Sequence, residues 1–338
     1  MSISVGAIQL RNRVILAPMS GVSDAPFRKL AHACGAGLVV SEMVAGRELV
    51  ERRGDVVRRT AGRNRVAPFV IQLAGREACW MARGAELAQD LGADIIDINM
   101  GCPARQVTGG YSGSALMRDL GHALRLIEAT VAASKVPVTL KMRLGWDSQT
   151  INPPDLARRA EAAGVQMITV HGRTRCQFYG GHADWRATRR VKEQLSIPVI
   201  ANGDCIDIAA ARAMLAASGA DGVMIGRGSY GRPWWPGVVA EALVPGTGRR
   251  EPSLAQQAIL VLHHHEGMLT LYGHEIGNKV ARKHLGWLIE RKCEEGWIDA
   301  AQASSWRERV VRELDNRRVG LALKHFYLEL QDTEAEAA

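Results

Sequence analysis

Eight short apolar runs rich in β-branched residues recur along the first two thirds of the chain, and a helix-spaced stretch separates each from the next. They are Val14–Ala17, Leu38–Ser41, Pro68–Gln72, Ile95–Ile98, Val138–Lys141, Met167–Val170, Pro198–Ala201 and Gly222–Ile225. Alanine-rich stretches such as Cys79–Leu91, Leu156–Ala163 and Ala209–Ala217 have the apolar spacing of amphipathic helices. Eight such alternations predict an α/β chain folded as a (β/α)8 TIM barrel. The links Leu91-Gly-Ala-Asp94, Ala163-Gly-Val-Gln166 and Ser218-Gly-Ala-Asp221 repeat one glycine helix stop, as stacked βα units should.

The β pattern ends near residue 245. Pro245-Gly-Thr-Gly-Arg-Arg-Glu-Pro252 leads into helical periodicity, which divides the chain into a barrel at 1–244, a smaller all-helical domain at 245–330 and a flexible tail at 331–338. The 338 residues are 47% apolar, enough for a large core. No apolar run approaches the roughly 18 residues that span a bilayer, and Met1–Gly6 lacks the basic start and apolar core of a signal peptide, so a cytoplasmic, non-membrane protein is expected. The six cysteines form no Cys-x-x-Cys pair, which argues against a disulfide framework or a zinc knuckle. His263-His-His265 is no metal motif either, because consecutive helical residues point in different directions. No metal and no obligate protein partner is expected.

Net charge is +8. Residues before 245 carry 30 basic against 21 acidic side chains, and those after carry 13 against 14, so the excess lies in the barrel and favours a polyanionic partner. The dense stretch Glu51–Arg65 is suited either to rim a phosphate-receiving site or to be a solvated face. In the helical part, Lys279, Arg282 and Lys283 fall on one helix face with Trp287 one turn on, a surface fit for a nucleic-acid backbone or for plain solvent exposure.

Barrel chemistry sits at the C-terminal strand ends. Polar residues stand at nearly all of them: Ser20, Glu42, Gln72, Asn99 with Cys102, Lys141 with Arg143, His171 with Arg173, Asn202 with Asp204, and Arg227. Cys102, between Gly101 and Pro103, is held in a restricted pose and is mostly protonated at neutral pH, so it is a candidate acid as well as a nucleophile. Gly226-Arg-Gly-Ser-Tyr-Gly231 matches G-x-G-x-x-G, but it follows the eighth strand and precedes a helical segment, so it is no Rossmann turn. In a barrel, the loops after strands seven and eight form phosphate sites. Asn202-Gly203-Asp204 and Gly226-Arg227 occupy those loops, which suggests a phosphorylated cofactor such as FMN. Lys141 would stabilise negative charge on a reduced isoalloxazine, with Gln72 bonding the same edge.

Taken in order, Ala17-Pro-Met-Ser-Gly-Val-Ser-Asp24, Ser41-Glu-Met43, Asn99-Met-Gly-Cys-Pro103, Lys141-Met-Arg-Leu-Gly-Trp146, His171-Gly-Arg-Thr-Arg175, Ala201-Asn-Gly-Asp204, Ile225-Gly-Arg227 and Ala281-Arg-Lys-His-Leu-Gly-Trp287 resemble the tRNA-dihydrouridine synthases, closest to the bacterial B-type subfamily. The resemblance implies an FMN-bearing barrel and a helical tRNA-binding domain that together reduce the C5=C6 bond of selected uridines, with NADPH, or NADH, as reductant. It implies that Pro18, Met19, Ser20, Gln72, Lys141, His171, Asn202, Gly203, Asp204, Gly226 and Arg227 hold the flavin. Hydride would pass to C6 while Cys102 protonates C5. Asn99, Arg173, Lys279, Arg282 and Lys283 would meet uracil or tRNA. Ala104-Arg-Gln106 and Tyr111 depart from the common pattern beside Cys102. The rival readings are a flavin oxidoreductase acting on a free pyrimidine and a flavin-retaining RNA-binding protein without turnover.

Overall fold

The computed structural model describes residues 3–60, 66–247 and 251–337. Its strands are β1 (Ser4–Val5), β2 (Ile8–Gln9), β3 (Val14–Leu16), β4 (Leu38–Val39), β5 (Val44–Ala45), β6 (Val70–Ala74), β7 (Ile95–Met100), β8 (Val138–Arg143), β9 (Ile168–His171), β10 (Val199–Asn202) and β11 (Gly222–Ile225). From β3 onward every pairing is parallel, and β11 returns to β3 with Met224 beside Ile15. The ring closes where Val40 bridges Val70 and the Ser41 N–H donates to the Val70 carbonyl at 3.2 Å. Because β4 and β5 share one barrel position, interrupted at residues 40–43, the eight expected runs account for all eight barrel positions. The hairpin β1–β2 plugs the bottom of the barrel: Ile3, Val5 and Leu10 pack on the inward Ile15, Leu38, Val70, Ile95, Ile200 and Met224.

The helices are α1 (Ala25–Ala33), α2 (Gly46–Val50), α3 (Gly54–Arg59), α4 (Ala78–Asp90), α5 (Arg105–Thr108), α6 (Leu120–Ala133), α7 (Pro153–Ala162), α8 (Trp185–Lys192), α9 (Ile208–Ser218), α10 (Trp235–Ala242), α11 (Leu254–Tyr272), α12 (His274–Glu294), α13 (Ala300–Val311) and α14 (Asn316–Ala337). Their ends follow from local chemistry. Asp119, Asp184 and Asp207 each accept an N–H from the first turn of α6, α8 and α9, and Ser253–Gln256 and Asp299–Gln302 close capping boxes on α11 and α13. The three repeated glycine stops take positive φ: 86° at Gly92, 101° at Gly164 and 64° at Gly219.

Helices α11–α14 form the helical part expected after residue 245, but it does not keep a separate core. One apolar cluster runs from Ala211 and Met214 of α9 through Trp235 of α10 into Leu285, Leu288, Trp306, Phe326 and Leu330 of the bundle. Gly231 makes the closest join: a Cβ there would lie 2.6 Å from backbone atoms of Trp287 and Leu288, and its φ is +71°. Next to it Tyr230 stacks on Trp287, with centroids 3.9 Å apart and planes 13° from parallel. The segment expected as a frayed tail continues α14 in helical form as far as Ala337. No helix among the described residues is long and apolar enough to cross a membrane.

Candidate active site

All eight barrel positions deliver side chains to one cavity of about 510 Å³ at the C-terminal mouth. Its lining includes Pro18, Met19, Ser20, Met43, Gln72, Asn99, Cys102, Lys141, Arg143, His171, Asn202, Asp204, Gly226 and Arg227. Strand alternation explains the set: Asp97 and Asn99 share the inward face of β7, as Thr139, Lys141 and Arg143 share that of β8, and the register places Asn99 beside Lys141 and Arg143 beside His171.

Lys141 stands at the floor. Its Nζ donates to Asn202 Oδ1 at 3.0 Å, and Asn202 in turn donates to the Met224 carbonyl at 2.9 Å. Burial, and then the charge of Arg143, pull the ammonium down to about 8, against the opposing pull of Asp97. Asn202 spends both ends of its amide on the protein, and so aims the lysine at the cavity. Beside it, burial followed by the charges of Lys141, Arg143, Arg173 and Arg227 holds His171 well below its usual range, leaving a neutral imidazole.

Cys102 sits half-buried just past the end of β7, the strand next to β8. Its N–H donates to Asn99 Oδ1 at 3.0 Å, and its carbonyl accepts from Ser114 Oγ at 2.8 Å, so the peptide is pinned at both ends. Gly113, with φ +60°, lies so close that a Cβ would meet the Cys102 carbonyl at 2.8 Å. Burial pushes the thiol up, outweighing the Ala104 N–H and the charges of Arg143 and Lys141. At neutral pH the group therefore carries its proton, which suits an acid better than a nucleophile.

The third wall is built for an anion. Gly203 (φ +114°) and Asp204 (φ +58°) turn the chain sharply after β10, and among the described residues no protein acceptor faces the backbone N–H groups of Asp204, Arg227 and Gly228. Arg227 and Arg173 both bond Asp204, at 3.0 and 2.6 Å. Burial acts to raise that carboxyl, but those bonds, the Ala183 N–H and the two guanidinium charges outweigh it and hold it below the carboxylate range. Among the lining residues, Arg59, Lys141, Arg143 and Arg227 stand against one carboxylate, Asp204, and the cavity is electropositive. Tyr179 closes the rim, with its ring between the Arg143 and Arg227 guanidiniums at 5.6 and 5.0 Å.

The structure brings together Cys102, Asn99 and the eleven residues expected at a flavin around this cavity, although Gln72 and Asn202 are largely committed to neighbouring side chains. It sets Arg173 apart. That guanidinium is 1% exposed and bonds the Gly180 and Gly181 carbonyls and Asp204, so it braces the rim and does not line the cavity. Of the α12 face, Lys283 comes up to the loop after β3, with Nζ 3.5 Å from where a Gly21 Cβ would stand next to the lining residue Ser20, while Lys279 pairs with Glu275 of its own helix. Arg282 lies on the same helix with its buried Nε unpaired. In the basic stretch, residues 61–65 lie outside the described residues. Gln106 lines the cavity, and Tyr111 is 69% exposed at φ +57°. His263 is exposed while His264 and His265 are buried, so the three histidines do not converge. Sequence reasoning gave no role to Tyr179, Tyr230 or Asp97. Only Asp97 left a signal, an acid two residues before Asn99 in an otherwise apolar strand.

Comparison with known proteins agrees with this architecture. Among solved structures, a morphinone reductase superposes with a TM-score of 0.52 over 76% of this chain and 91% of its own at 16% identity, a likeness of fold. A probable tRNA-dihydrouridine synthase of Rhizobium leguminosarum bv. phaseoli is 54% identical over 318 residues, 94% of this chain and 96% of the relative. A tRNA-dihydrouridine synthase B of Xanthomonas axonopodis pv. citri is 41% identical over 325 residues, 96% and 95% of the two chains. The family profile described as dihydrouridine synthase matches residues 15–322. With nearly its whole length matched, the chain belongs to the dihydrouridine synthase family of oxidoreductases.

Proposed function

We propose that this protein reduces the C5=C6 bond of particular uridines in tRNA, with FMN as its bound flavin and NADPH as the reductant. The observation that carries the reading is that one electropositive cavity is lined both by a rigidly held thiol and, from the adjacent strand, by a buried ammonium. The residues fit an FMN. The unpaired N–H groups of Asp204, Arg227 and Gly228, with the Arg227 guanidinium, suit a phosphate. Pro18, Met19 and Ser20 suit a flat ring face, and Gln72 and Lys141 its polar edge. When bound, the flavin supplies the hydride taken from NADPH.

The chain's own residues do the rest. Lys141 presents a positive charge where negative charge gathers on reduction, in a buried site where that charge is felt strongly. Asn99 fixes the Cys102 peptide, and the thiol delivers its proton to C5 of the uracil as C6 is reduced. Arg173 and Arg143 brace the 174–181 segment, which keeps Tyr179 over the mouth. A uridine in a folded RNA must leave its stack to enter. Lys283 and the helical part beside the mouth would hold the surrounding backbone through phosphates and shape.

The test is incubation of the purified protein and NADPH with modification-free tRNA, and separately with free uridine and uracil, followed by mass spectrometry for the dihydro product. Product mapped to defined tRNA positions supports the reading. Product from free pyrimidine alone replaces it with a small-pyrimidine oxidoreductase.

A further inference from the structure

Asp97 is a carboxylate inside a barrel, 4% exposed and absent from the cavity lining, so it touches no ligand. A buried carboxylate costs several kcal/mol in free energy unless bonds compensate, and its neighbours along the strand, Ile96 and Ile98, are apolar. Its bonds have a direction. One oxygen accepts from Gln72 Nε2 at 2.6 Å and the other from Thr139 Oγ1 at 2.5 Å. With its NH2 turned to the acid, Gln72 presents Oε1 to Asn99 Nδ2 at 2.8 Å. Asn99 is then left with Oδ1 facing the N–H groups of Gly101 and Cys102, at 3.2 and 3.0 Å.

The loop end fixes the polarity of everything between: backbone N–H groups only donate, so Asn99 must turn Oδ1 to them and its NH2 to Gln72, which leaves the Gln72 NH2 for Asp97. A flipped Asn99 would set its NH2 against two N–H donors and release the Cys102 peptide.

We propose that Asp97 is a positioning residue for the proton donor, acting through Gln72 and Asn99 to hold the Cys102 loop in its working pose. The role rests on Cys102 as the acid proposed above, but it can be read at the thiol without any reduction taking place. What the relay requires at position 97 is an acceptor for Gln72. Asparagine still offers one, because its NH2 can turn to the Thr139 hydroxyl; leucine offers none.

The experiment follows alkylation of Cys102 by iodoacetamide against pH, read by mass spectrometry of its peptide, in full-length protein as purified. Burial is what raises this thiol. In Asp97→Leu the loosened loop should therefore let it react at least about tenfold faster at pH 8, with a lower titration midpoint. Asp97→Asn should stay within about twofold of the parent. Where Asp97→Leu does not fold, Gln72→Leu cuts the same relay one link nearer the thiol and should give the same acceleration. An unchanged profile in the leucine variants overturns the proposal. So does an Asp97→Asn profile that matches Asp97→Leu, since charge rather than the relay would then be at work. A parent protein that reduces no tRNA would sink the functional reading and leave this result standing.

Discussion

Replacing Lys141 by methionine should flatten one part of the stability curve against pH. In the folded, flavin-free protein the ammonium titrates near 8 because burial and Arg143 oppose its charge, whereas the unfolded chain holds the ordinary lysine value of 10.5. Below pH 8 both states carry the proton and folding bears the full cost of the buried charge. Between 8 and 10.5 the unfolded chain binds a proton that the folded protein does not, so stability rises with pH; above 10.5 the cost is gone. A difference of this size corresponds to about 3 kcal/mol, most of it recovered by pH 10. Lys141→Met keeps a similar length of side chain without the charge. Urea unfolding of both proteins at pH 7 and pH 10, with flavin removed, isolates the effect, because the remaining titrating groups are common to the two. The parent should gain on the variant by roughly 2 to 3 kcal/mol across that interval. Parallel behaviour of the two proteins would refute a strained buried ammonium, and with it the electrostatic role given to Lys141.

Arg173→Ala should cost about 3 kcal/mol by urea unfolding, because Asp204 and the Gly180 and Gly181 carbonyls lose a buried partner; a loss under about 1 kcal/mol would mean that the brace is dispensable. Gly231→Ala combines a φ of +71° with backbone contact at 2.6 Å, and should destabilise by about 2 to 4 kcal/mol in the same assay, while Gly246→Ala, which meets none of the described residues within 4 Å at φ +81°, should cost only the smaller backbone strain. If tRNA lies along the Lys283 side of the mouth, affinity falls with salt and Lys283→Ala lowers the slope of log K against log salt by about 1. Lys279→Ala should change that slope less, since its Nζ already pairs with Glu275.

The barrel was legible because parallel strands covered on both faces leave near-continuous apolar runs; seven were placed within about two residues of their observed ends, while Leu38–Ser41 stopped short of β5 (Val44–Ala45), the second half of its position. The β1–β2 hairpin was not: two residues per strand are too few to show a period, and its value lies in plugging a barrel bottom that only the closed fold creates. Cys102 announced itself through Gly101 and Pro103. Arg173 was misjudged for a physical reason. Standing two residues past the end of β9, it can turn into the cavity or into the next loop, and its planar set of donors finds three carbonyl and carboxylate acceptors in the loop direction. Asp97 escaped because strand alternation tells which way a side chain points, but not that it accepts from an amide which in turn holds a second one. The final segment was expected to be a flexible tail because it ends the chain; its Glu and Ala residues are good helix formers that continue a helix anchored by Phe326 and Leu330.

Most directly, Cys102→Ala should be compared with the parent for three quantities in one preparation: flavin content, NADPH oxidation and dihydrouridine formed on modification-free tRNA. The thiol is assigned a proton transfer and no part in holding the cofactor. The variant should therefore keep its flavin and its NADPH oxidation, while dihydrouridine formation falls by about 10²- to 10⁴-fold. Product formed at the parent rate would contradict the account, and so would a variant that loses its flavin.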